Sequence, residues 1–450
     1  MKYIFPNKDY REVKKRIKKG NFFYFEKKIS DENYEKLMQL GDKSIEPRDN
    51  LIRIYPQKNL FSHIIGQIDN DNNGVSGLEK SLDKNLKNTQ EPIKLTVDKD
   101  IQFLIRNELS KFNNIFNSKG GAVILMNVHS GEILSLVSLP DFDPNKRLKI
   151  TDVNFINRAT KGVYEFGSVF KTFTVAAALN EKIIEPETEF IDLPKFITCA
   201  GFPIREYDQK IPSTLTAEQI LIRSGNIGSV KIGQRVGEKR FKTFLSKLGV
   251  LEKINFDIEE IGKPIKFNWG KCPLATASYG HGITTTLLQL TKAYSIITNG
   301  GYKVTPSLIK NNKTSRREKI LNEDVSMKIL PILRKIVTTK EGTASLANVE
   351  GYDIGGKTGT ANKSFAGRYS NKKINTFVSV FPISEPKFVL AVMLDEPEIN
   401  ENYIYEYRDG SNFKLKGSPR NTAGWNSVEV TGHIVEKIGP ILATKYNDVY

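Results

Sequence analysis

Two pairs of strand-like apolar runs, far apart in the chain, constrain the fold most. The first pair is GGAVILMNVHSGEILSLVSLP at residues 120–140, in which two apolar runs flank a His-Ser-Gly turn. The second pair is TFVSVFPIS at 376–384 and FVLAVMLDEP at 388–397, separated by a Glu-Pro-Lys turn. Apolar runs around a short turn are typical of β-hairpins, so we predict a hairpin at each place.

The segment between the two hairpins has helical rather than strand periodicity. Apolar residues recur at helical spacing in 168–180, 216–236, 284–298 and 325–337. Strands, then a block of helices, then strands indicate an antiparallel sheet closed by the two ends of this region, with helices packed on it. We therefore predict an α+β fold, an antiparallel sheet flanked by helices.

Residues 1–92 differ from the rest of the chain in their pattern of charged and apolar residues. They mix charge with short apolar patches and predict short helices at 10–19, 30–40 and 78–86, the second with Ser30 as its N-cap. Pro92 marks a boundary. Since a chain of 450 residues exceeds one ordinary domain, we predict an N-terminal region at 1–92 and a larger domain at 93–450.

The chain is strongly basic, with a formal net charge of +16 and a pI near 9.4. A basic surface can attract nucleic acid, anionic lipid or an anionic polymer. Lysine and asparagine run through every segment, however, and no basic cluster is interleaved with aromatic residues. The composition therefore favours lysine as a solubilising residue, and we expect no nucleic-acid partner.

Cysteine and histidine are scarce, and no segment is typical of a membrane span. Cys199 and Cys272 can form one bridge, but two cysteines leave their pairing open. The histidines lack metal-ligand spacing, so we expect neither a metal nor another cofactor. The N-terminus has no signal-peptide core, and no run of about 18 apolar residues predicts a spanning helix.

The tetrad Ser-x-x-Lys can carry nucleophilic chemistry but is a weak signal in a lysine-rich chain, where it occurs six times. Only in the pair Ser168/Lys171 does a glycine precede the serine and an apolar helical stretch, VFKTFTVAAALN, follow it. Three residues apart on a helix, they lie on one face. A desolvated lysine loses its proton readily and can accept that of a serine hydroxyl. The alternative is an N-cap serine beside a surface lysine, and the tetrad alone favours it.

Two further motifs weigh against that alternative. Ser224-Gly225-Asn226 opens or interrupts a helical stretch, and Lys357-Thr358-Gly359 follows two glycines and precedes Thr360. Each alone is compatible with an ordinary turn. Glycines on an edge strand, however, let the backbone of a ligand approach closely, and Lys357 can meet its carboxylate. The three motifs in this order are the signature of serine β-lactamases and penicillin-binding proteins.

With these motifs the sequence resembles a class B penicillin-binding protein, specifically the division-type (septal) peptidoglycan D,D-transpeptidase. The resemblance begins near Ile54 and runs to the C-terminus. It rests on the similar stretches YPQKNLFSHIIGQID, NGVSGLEKSLD, SLVSLPDFDPN, NRATKGVYEFGSVFKTFT, ASYGHGITTTLLQLTKAYSIITNGG, GGKTGTA and TAGWNS. It implies the transpeptidase fold at 93–450 and a partial N-terminal pedestal, similar to a dimerisation region, at 1–92.

The resemblance also implies catalytic roles. Ser168 would be the acylated nucleophile and Lys171 its general base. Ser224 and Asn226 would assist proton transfer and hold the donor peptide. The activity implied is cross-linking of peptidoglycan stem peptides through a serine acyl-enzyme during septal wall synthesis.

Further residues would bind the substrate. Lys357 and Thr358 would bind the terminal carboxylate, Gly359 belongs to the same motif, and Thr360 lies on the strand that would complete an oxyanion hole. The donor would be a D-Ala-D-Ala stem peptide, the acceptor an amine on a neighbouring stem, and β-lactams would inhibit. A lipid-linked glycosyltransferase and other division proteins would be partners.

The sequence departs from the family mainly at its N-terminus. The resemblance implies the periplasmic face of the inner membrane, yet the chain carries no anchor, so we expect a truncated sequence or a start set too far downstream. Phe166 and Val169 replace a usual Pro and Thr without touching the chemistry. Three alternatives stay open: a serine β-lactamase, a β-lactam sensor and a non-catalytic division scaffold.

Overall fold

The computed structural model describes residues 1–20, 22–27, 29–48, 53–89, 91–146, 152, 155–310, 318–365 and 368–446. Within these ranges the helices are α1 (Tyr10–Lys18), α2 (Asp31–Met38), α3 (Ser62–Ile65), α4 (Gly77–Ser81), α5 (Asp83–Asn88), α6 (Lys99–Ile115), α7 (Phe170–Asn180), α8 (Ala217–Ile222), α9 (Asn226–Val236), α10 (Glu238–Leu248), α11 (Lys271–Ala277), α12 (Leu287–Thr298), α13 (Glu323–Thr338) and α14 (Ser427–Lys445).

The strands of the described residues form one large sheet and three small ones. They are β1 (Gly120–Asn127), β2 (Ile133–Leu139), β3 (Glu189–Phe190), β4 (Phe196–Cys199), β5 (Phe202–Arg205), β6 (Leu215–Thr216), β7 (Gly355–Phe365), β8 (Arg368–Phe381), β9 (Phe388–Asp395), β10 (Ile404–Glu406) and β11 (Lys414–Lys416). The small sheets pair β3 with β6, β4 with β5 and β10 with β11.

The large sheet has the order β2-β1-β9-β8-β7, and every neighbouring pair is antiparallel. Both predicted hairpins are therefore confirmed, as β1–β2 and β8–β9. They join through β1 and β9, where Gly120 pairs with Asp395 and Asn127 with Phe388. Strands from the two ends of the region thus close the sheet, as predicted, and β7 is left at one edge.

Helices cover both faces of the large sheet. Helices α6 and α14 pack on each other and on β1, β2, β8 and β9, while α12 and α13 contact β1, β7, β8 and β9. Every residue of β1, β2 and β9 is buried, which explains why these strands are continuous apolar runs without alternation. The predicted α+β class is confirmed.

The predicted helix bounds differ from the structure where a local signal interrupts the periodicity. The stretch predicted at 216–236 is two helices, α8 and α9, because the chain turns at Arg223, Ser224 and Gly225. The stretch at 78–86 is likewise divided into α4 and α5 at Leu82. Ser30 does cap α2, its Oγ accepting the Asn33 N–H at 3.3 Å.

Strand β8 begins well before the predicted apolar run. Its first residues, RYSNKK, are mostly polar and are exposed or half-buried, so no alternation marks them as a strand. This strand pairs with β7 through partners such as Ile374 with Ala361.

In the part of the chain that the structure describes, no helix is both long and apolar enough to span a bilayer.

A disulfide joins Cys199 on β4 to Cys272 on α11, which resolves the pairing that the sequence left open. It ties the β4–β5 hairpin to the helix that precedes Tyr279 and His281. The two cysteines are 73 residues apart in the chain, so the bond closes a long loop and restricts the unfolded ensemble.

We expect the double variant Cys199→Ser/Cys272→Ser to lose about 4 kcal/mol of unfolding free energy, since a loop of this length gives roughly that loss of chain entropy. Urea unfolding followed by tryptophan fluorescence measures it. Wild-type protein treated with a thiol reductant is the matched control and should show the same loss. An unchanged urea midpoint in both samples would contradict a stabilising bridge.

Candidate active site

Ser168 lies in a 3₁₀ turn, Gly167–Val169, that runs directly into α7. The α-helix begins at Phe170, two residues later than the sequence predicts, because the tight turn precedes it. Within this turn Ser168 alone is not buried. The turn therefore exposes one hydroxyl at the start of a helix that is buried almost throughout.

Lys171 is fully buried one turn further along α7, which excludes the alternative of a surface lysine. Its Nζ donates hydrogen bonds to Ser224 O at 2.5 Å, Asn226 Oδ1 at 2.7 Å and Ser224 Oγ at 3.1 Å. Burial lowers the pKa of Lys171 to about 7, with partial opposition from the negative charge of Glu206. Near neutral pH this amine can both accept and donate a proton.

Ser224 occupies the break between α8 and α9. Its φ is +56°, a left-handed conformation that costs a non-glycine residue about 1–3 kcal/mol. This conformation directs both the carbonyl and the hydroxyl of Ser224 to Lys171. The strained turn thus provides two acceptors for one buried amine.

Lys357 approaches Ser224 from the sheet side. This residue of β7 is fully buried, and its Nζ donates to Ser224 Oγ at 2.9 Å and to Thr358 O at 3.1 Å. Burial, and then the neighbouring Lys171, hold the pKa of Lys357 well below its usual value. The two amines share one hydroxyl, whose lone pairs both accept, so the Ser224 proton is free to be donated elsewhere.

The Lys357-Thr358-Gly359 motif lies on the edge strand β7, as predicted, and β7 packs against the turn that carries Ser168. A Cβ built on Gly359 would lie 2.1 Å from the Phe166 carbonyl oxygen. A side chain at position 359 would therefore collide with the backbone at Phe166, so the packing of the chain requires glycine here whether or not a ligand binds. The approach of a ligand to this strand stays a prediction.

The two threonines of this strand already have partners. The hydroxyls of Thr358 and Thr343 are 2.7 Å apart, and Thr360 Oγ1 accepts the Ala423 N–H at 3.0 Å. The sequence predicted neither contact, because both join residues that are not neighbours in the chain. Their contacts fix the position of β7 beside the Ser168 turn.

The three motifs meet in space, which is the arrangement their chemistry requires. The Ser168 turn and β7 pack closely at Gly167, whose φ is +59° and whose Cβ would lie 2.7 Å from Thr360 O. In the described residues no hydrogen bond joins Ser168 Oγ to Lys171 Nζ. Catalytic hydrogen bonds are often longer without substrate and tighten when it binds, so this geometry is compatible with a role for Lys171 as base.

An aromatic stack borders the site; the sequence pointed to Tyr279 and His281 only as part of a stretch similar to the family, not to their stacking with Tyr369. Tyr279, His281 and Tyr369 lie ring on ring, with centroids 5.9 Å and 4.8 Å apart. Glu165 accepts the Tyr369 hydroxyl at 2.9 Å and the Gly282 N–H at 2.9 Å. This carboxylate joins the segment before Ser168 to the tip of the β7–β8 hairpin, a contact between distant segments that no local pattern shows.

Comparison with known families gives two matches. Residues 121–411 match the family model described as the penicillin binding protein transpeptidase domain, and residues 2–119 match that of the penicillin-binding protein dimerisation domain. The transpeptidase match covers more than half of the chain. The chain therefore belongs to the penicillin-binding protein transpeptidase family.

Relatives and solved structures agree with this assignment. The chain is 29% identical to the probable peptidoglycan D,D-transpeptidase FtsI of Caulobacter vibrioides, over 93% of this chain and 71% of the relative. It is 33% identical to the probable peptidoglycan D,D-transpeptidase PenA of Neisseria flavescens, over 74% of this chain and 83% of the relative. With such relatives it is a class B, division-type member.

The fold is that of solved penicillin-binding proteins. Penicillin binding protein 3 of Mycobacterium tuberculosis aligns over 87% of this chain and 91% of its own, with a TM-score of 0.75 and 24% identity. The transpeptidase domain of Burkholderia pseudomallei penicillin-binding protein 3 aligns over 79% of this chain and 97% of its own, with a TM-score of 0.66 and 26% identity.

Proposed function

We propose that this protein is a peptidoglycan D,D-transpeptidase that cross-links stem peptides through an acyl-enzyme at Ser168 and binds penicillin covalently. The observation that carries the proposal is the Ser224 hydroxyl shared by two buried lysines next to the Ser168 turn. Family membership and the names of the relatives support the same activity.

Acylation uses Lys171 as the base. Neutral Lys171 takes the Ser168 hydroxyl proton while Oγ attacks the carbonyl carbon between the two D-Ala residues. The N–H groups of Ser168 and Thr360 are the proposed donors to the oxyanion. The C–N bond then breaks, and the leaving D-Ala amine takes a proton from Ser224 Oγ, which is replenished by the protonated Lys171.

The remaining motif residues bind the carboxylate of the substrate and hold the donor peptide. Lys357, Thr358 and Gly359 border the place where the terminal carboxylate binds, and an arriving anion would restore the charge that burial disfavours on Lys357. Asn226 holds the donor peptide.

The cross-link forms in a second step. An acceptor amine attacks the ester at Ser168, loses its proton to Lys171 and forms the cross-link, while Ser168 Oγ recovers its hydrogen.

The acylation rate should rise with pH through about 7. The pKa of Lys171 is lowered to about 7 by burial, so the amine is mostly protonated below that pH and mostly neutral above it. Only the neutral form accepts the Ser168 proton, hence the rate increases as pH rises and then levels off. The pH dependence is measured as the rate of labelling by fluorescent penicillin between about pH 5 and about pH 9. A flat profile, with the fold intact by circular dichroism, would contradict it.

Deacylation separates the transpeptidase from a β-lactamase, which shares the acylation chemistry. We expect labelled protein to keep its penicillin for far longer than the acylation takes, whereas a β-lactamase would release hydrolysed penicillin with turnover. A sensor or scaffold would release no D-Ala from a stem pentapeptide in the presence of an amine. Released D-Ala and cross-linked product, measured together by mass spectrometry, test the activity directly.

The cellular setting follows from the same proposal. The enzyme acts at the septum on the periplasmic face of the inner membrane, beside a lipid-linked glycosyltransferase and other division proteins. Its disulfide is in keeping with an oxidising compartment. We propose residues 1–92 as part of the pedestal and 93–450 as the transpeptidase domain. The packing of α6 on α14 and the large sheet supports placing the residues after 92 with the catalytic domain.

A further inference from the structure

Glu206 is a buried carboxylate that reaches the proposed site from outside its three motifs. It follows β5 directly and is 8% exposed. Its Oε2 accepts the Asn226 N–H at 2.7 Å, and its Oε1 accepts the Ile227 N–H at 2.9 Å. These are the first two N–H groups of α9, and the N-cap residue Gly225 has no side chain that could accept hydrogen bonds from them. Glu206 therefore caps α9 from another segment.

The same segment orients the amide of Asn226. Asn226 Nδ2 donates to the carbonyl oxygen of Arg205 at 2.7 Å, so Oδ1 lies on the other side of the amide. Oδ1 accepts from Lys171 Nζ at 2.7 Å. Residues 205 and 206 thus hold both the backbone and the side chain of Asn226. A rotated amide would present N–H groups to the lysine, which cannot accept them when protonated.

Glu206 also places a negative charge near the buried Lys171. The groups that face Lys171 are the amine of Lys357 on β7, the polar oxygens of Ser224 and Asn226, and this carboxylate. Glu206 opposes the effect of burial on the pKa of Lys171. The nearby acidic residue Asp208 accepts the Lys210 N–H, and no hydrogen bond joins it to α9 among the described residues.

We infer that Glu206 is a positioning residue of the proposed transpeptidase: it fixes Asn226 through the α9 cap and places a negative charge beside Lys171. The inference rests on the proposed function, because its effect is exerted on the proposed general base. The β4–β5 hairpin that carries Glu206 is itself tied to α11 by Cys199–Cys272. The position of this carboxylate is therefore built into the fold.

The test is the pH profile of penicillin acylation in Glu206→Gln, with Asp208→Asn as the matched control for loss of one acidic group. We expect Glu206→Gln to acylate about tenfold more slowly, as for loss of a charged hydrogen-bond partner. Its profile should also shift to lower pH, because a positive Lys171 loses its neighbouring anion. Asp208→Asn should keep the wild-type rate and profile.

A second variant keeps the test decisive if Glu206→Gln folds poorly. Glu206→Asp retains the charge but is too short to hold both N–H groups, so it should keep the wild-type pH midpoint while acylating more slowly. A slower rate without a shift in Glu206→Gln, or a wild-type rate in that variant, would overturn the inference. Wild-type labelling at Ser168 in the same series shows that the proposed function stands independently of that outcome.

Discussion

Replacing Ser168 by alanine is expected to abolish covalent labelling by fluorescent penicillin. In the proposed mechanism the acyl-enzyme ester forms on the Ser168 hydroxyl, and alanine leaves no atom to carry it. The side chain is partly exposed, so its removal should leave the fold and the unfolding temperature nearly unchanged. Labelling is read as in-gel fluorescence after denaturation, which removes any penicillin that is bound without a covalent bond.

The chain offers a matched control for this variant. Ser411 and Lys414 have the same Ser-x-x-Lys spacing but are exposed on the β10–β11 hairpin. Ser411→Ala should label like the wild type. Persistent labelling of Ser168→Ala would show that another residue is acylated and would remove the proposed nucleophile.

Replacing Lys171 by methionine should slow acylation by about 10²–10⁴-fold, the range expected when a general base is lost. Methionine is similar in size to lysine and cannot accept a proton, so the chemistry is removed with little change in packing. The measurement is the second-order rate of penicillin labelling, compared with the unfolding temperature of the same protein.

Two controls separate the loss of the base from a general loss of order. Lys414→Met removes an exposed lysine of the corresponding tetrad and should leave the rate unchanged. In Lys171→Met, raising the pH should restore little of the rate, since no amine remains to be deprotonated. A Lys171→Met rate within a few fold of wild type would contradict the role of this lysine.

The sequence predicts those parts of the fold that depend on local pattern. The apolar runs of β1, β2 and β9 and the periodicity of α7, α12 and α13 are strong, since these elements are buried. The polar start of β8 was missed because its strand conformation is imposed by pairing with β7. The Ser224 motif was correctly placed at an interruption of a helical stretch.

The sequence predicts the motif residues of the site but not what holds them together. Glu206, Thr343 and Glu165 act through residues that are distant in the chain, and single acidic or hydroxyl residues carry no local signal of such contacts. The reason for Gly359 also lay in tertiary packing, the proximity of the Phe166 carbonyl. The contacts of these residues can be seen only in the folded structure.

The two buried lysines of the site lie close together, since both donate to the Ser224 hydroxyl. Two amines within reach of one hydroxyl repel each other if both are charged, and burial adds to the cost. In the proposed mechanism, the negative charge of Glu206 and the carboxylate of an arriving substrate each offset part of that repulsion. A neutral Lys171 then takes the Ser168 proton during acylation, while Lys357 binds the substrate anion.

Peptide mapping of the penicilloyl adduct tests the central claim most directly. Wild-type protein is incubated with benzylpenicillin, digested, and the mass increment is located by tandem mass spectrometry. One adduct per chain, on the peptide that contains Ser168, is the predicted result. An adduct on any other residue, or none at all on folded protein, would contradict the convergence of these motifs on a working serine nucleophile.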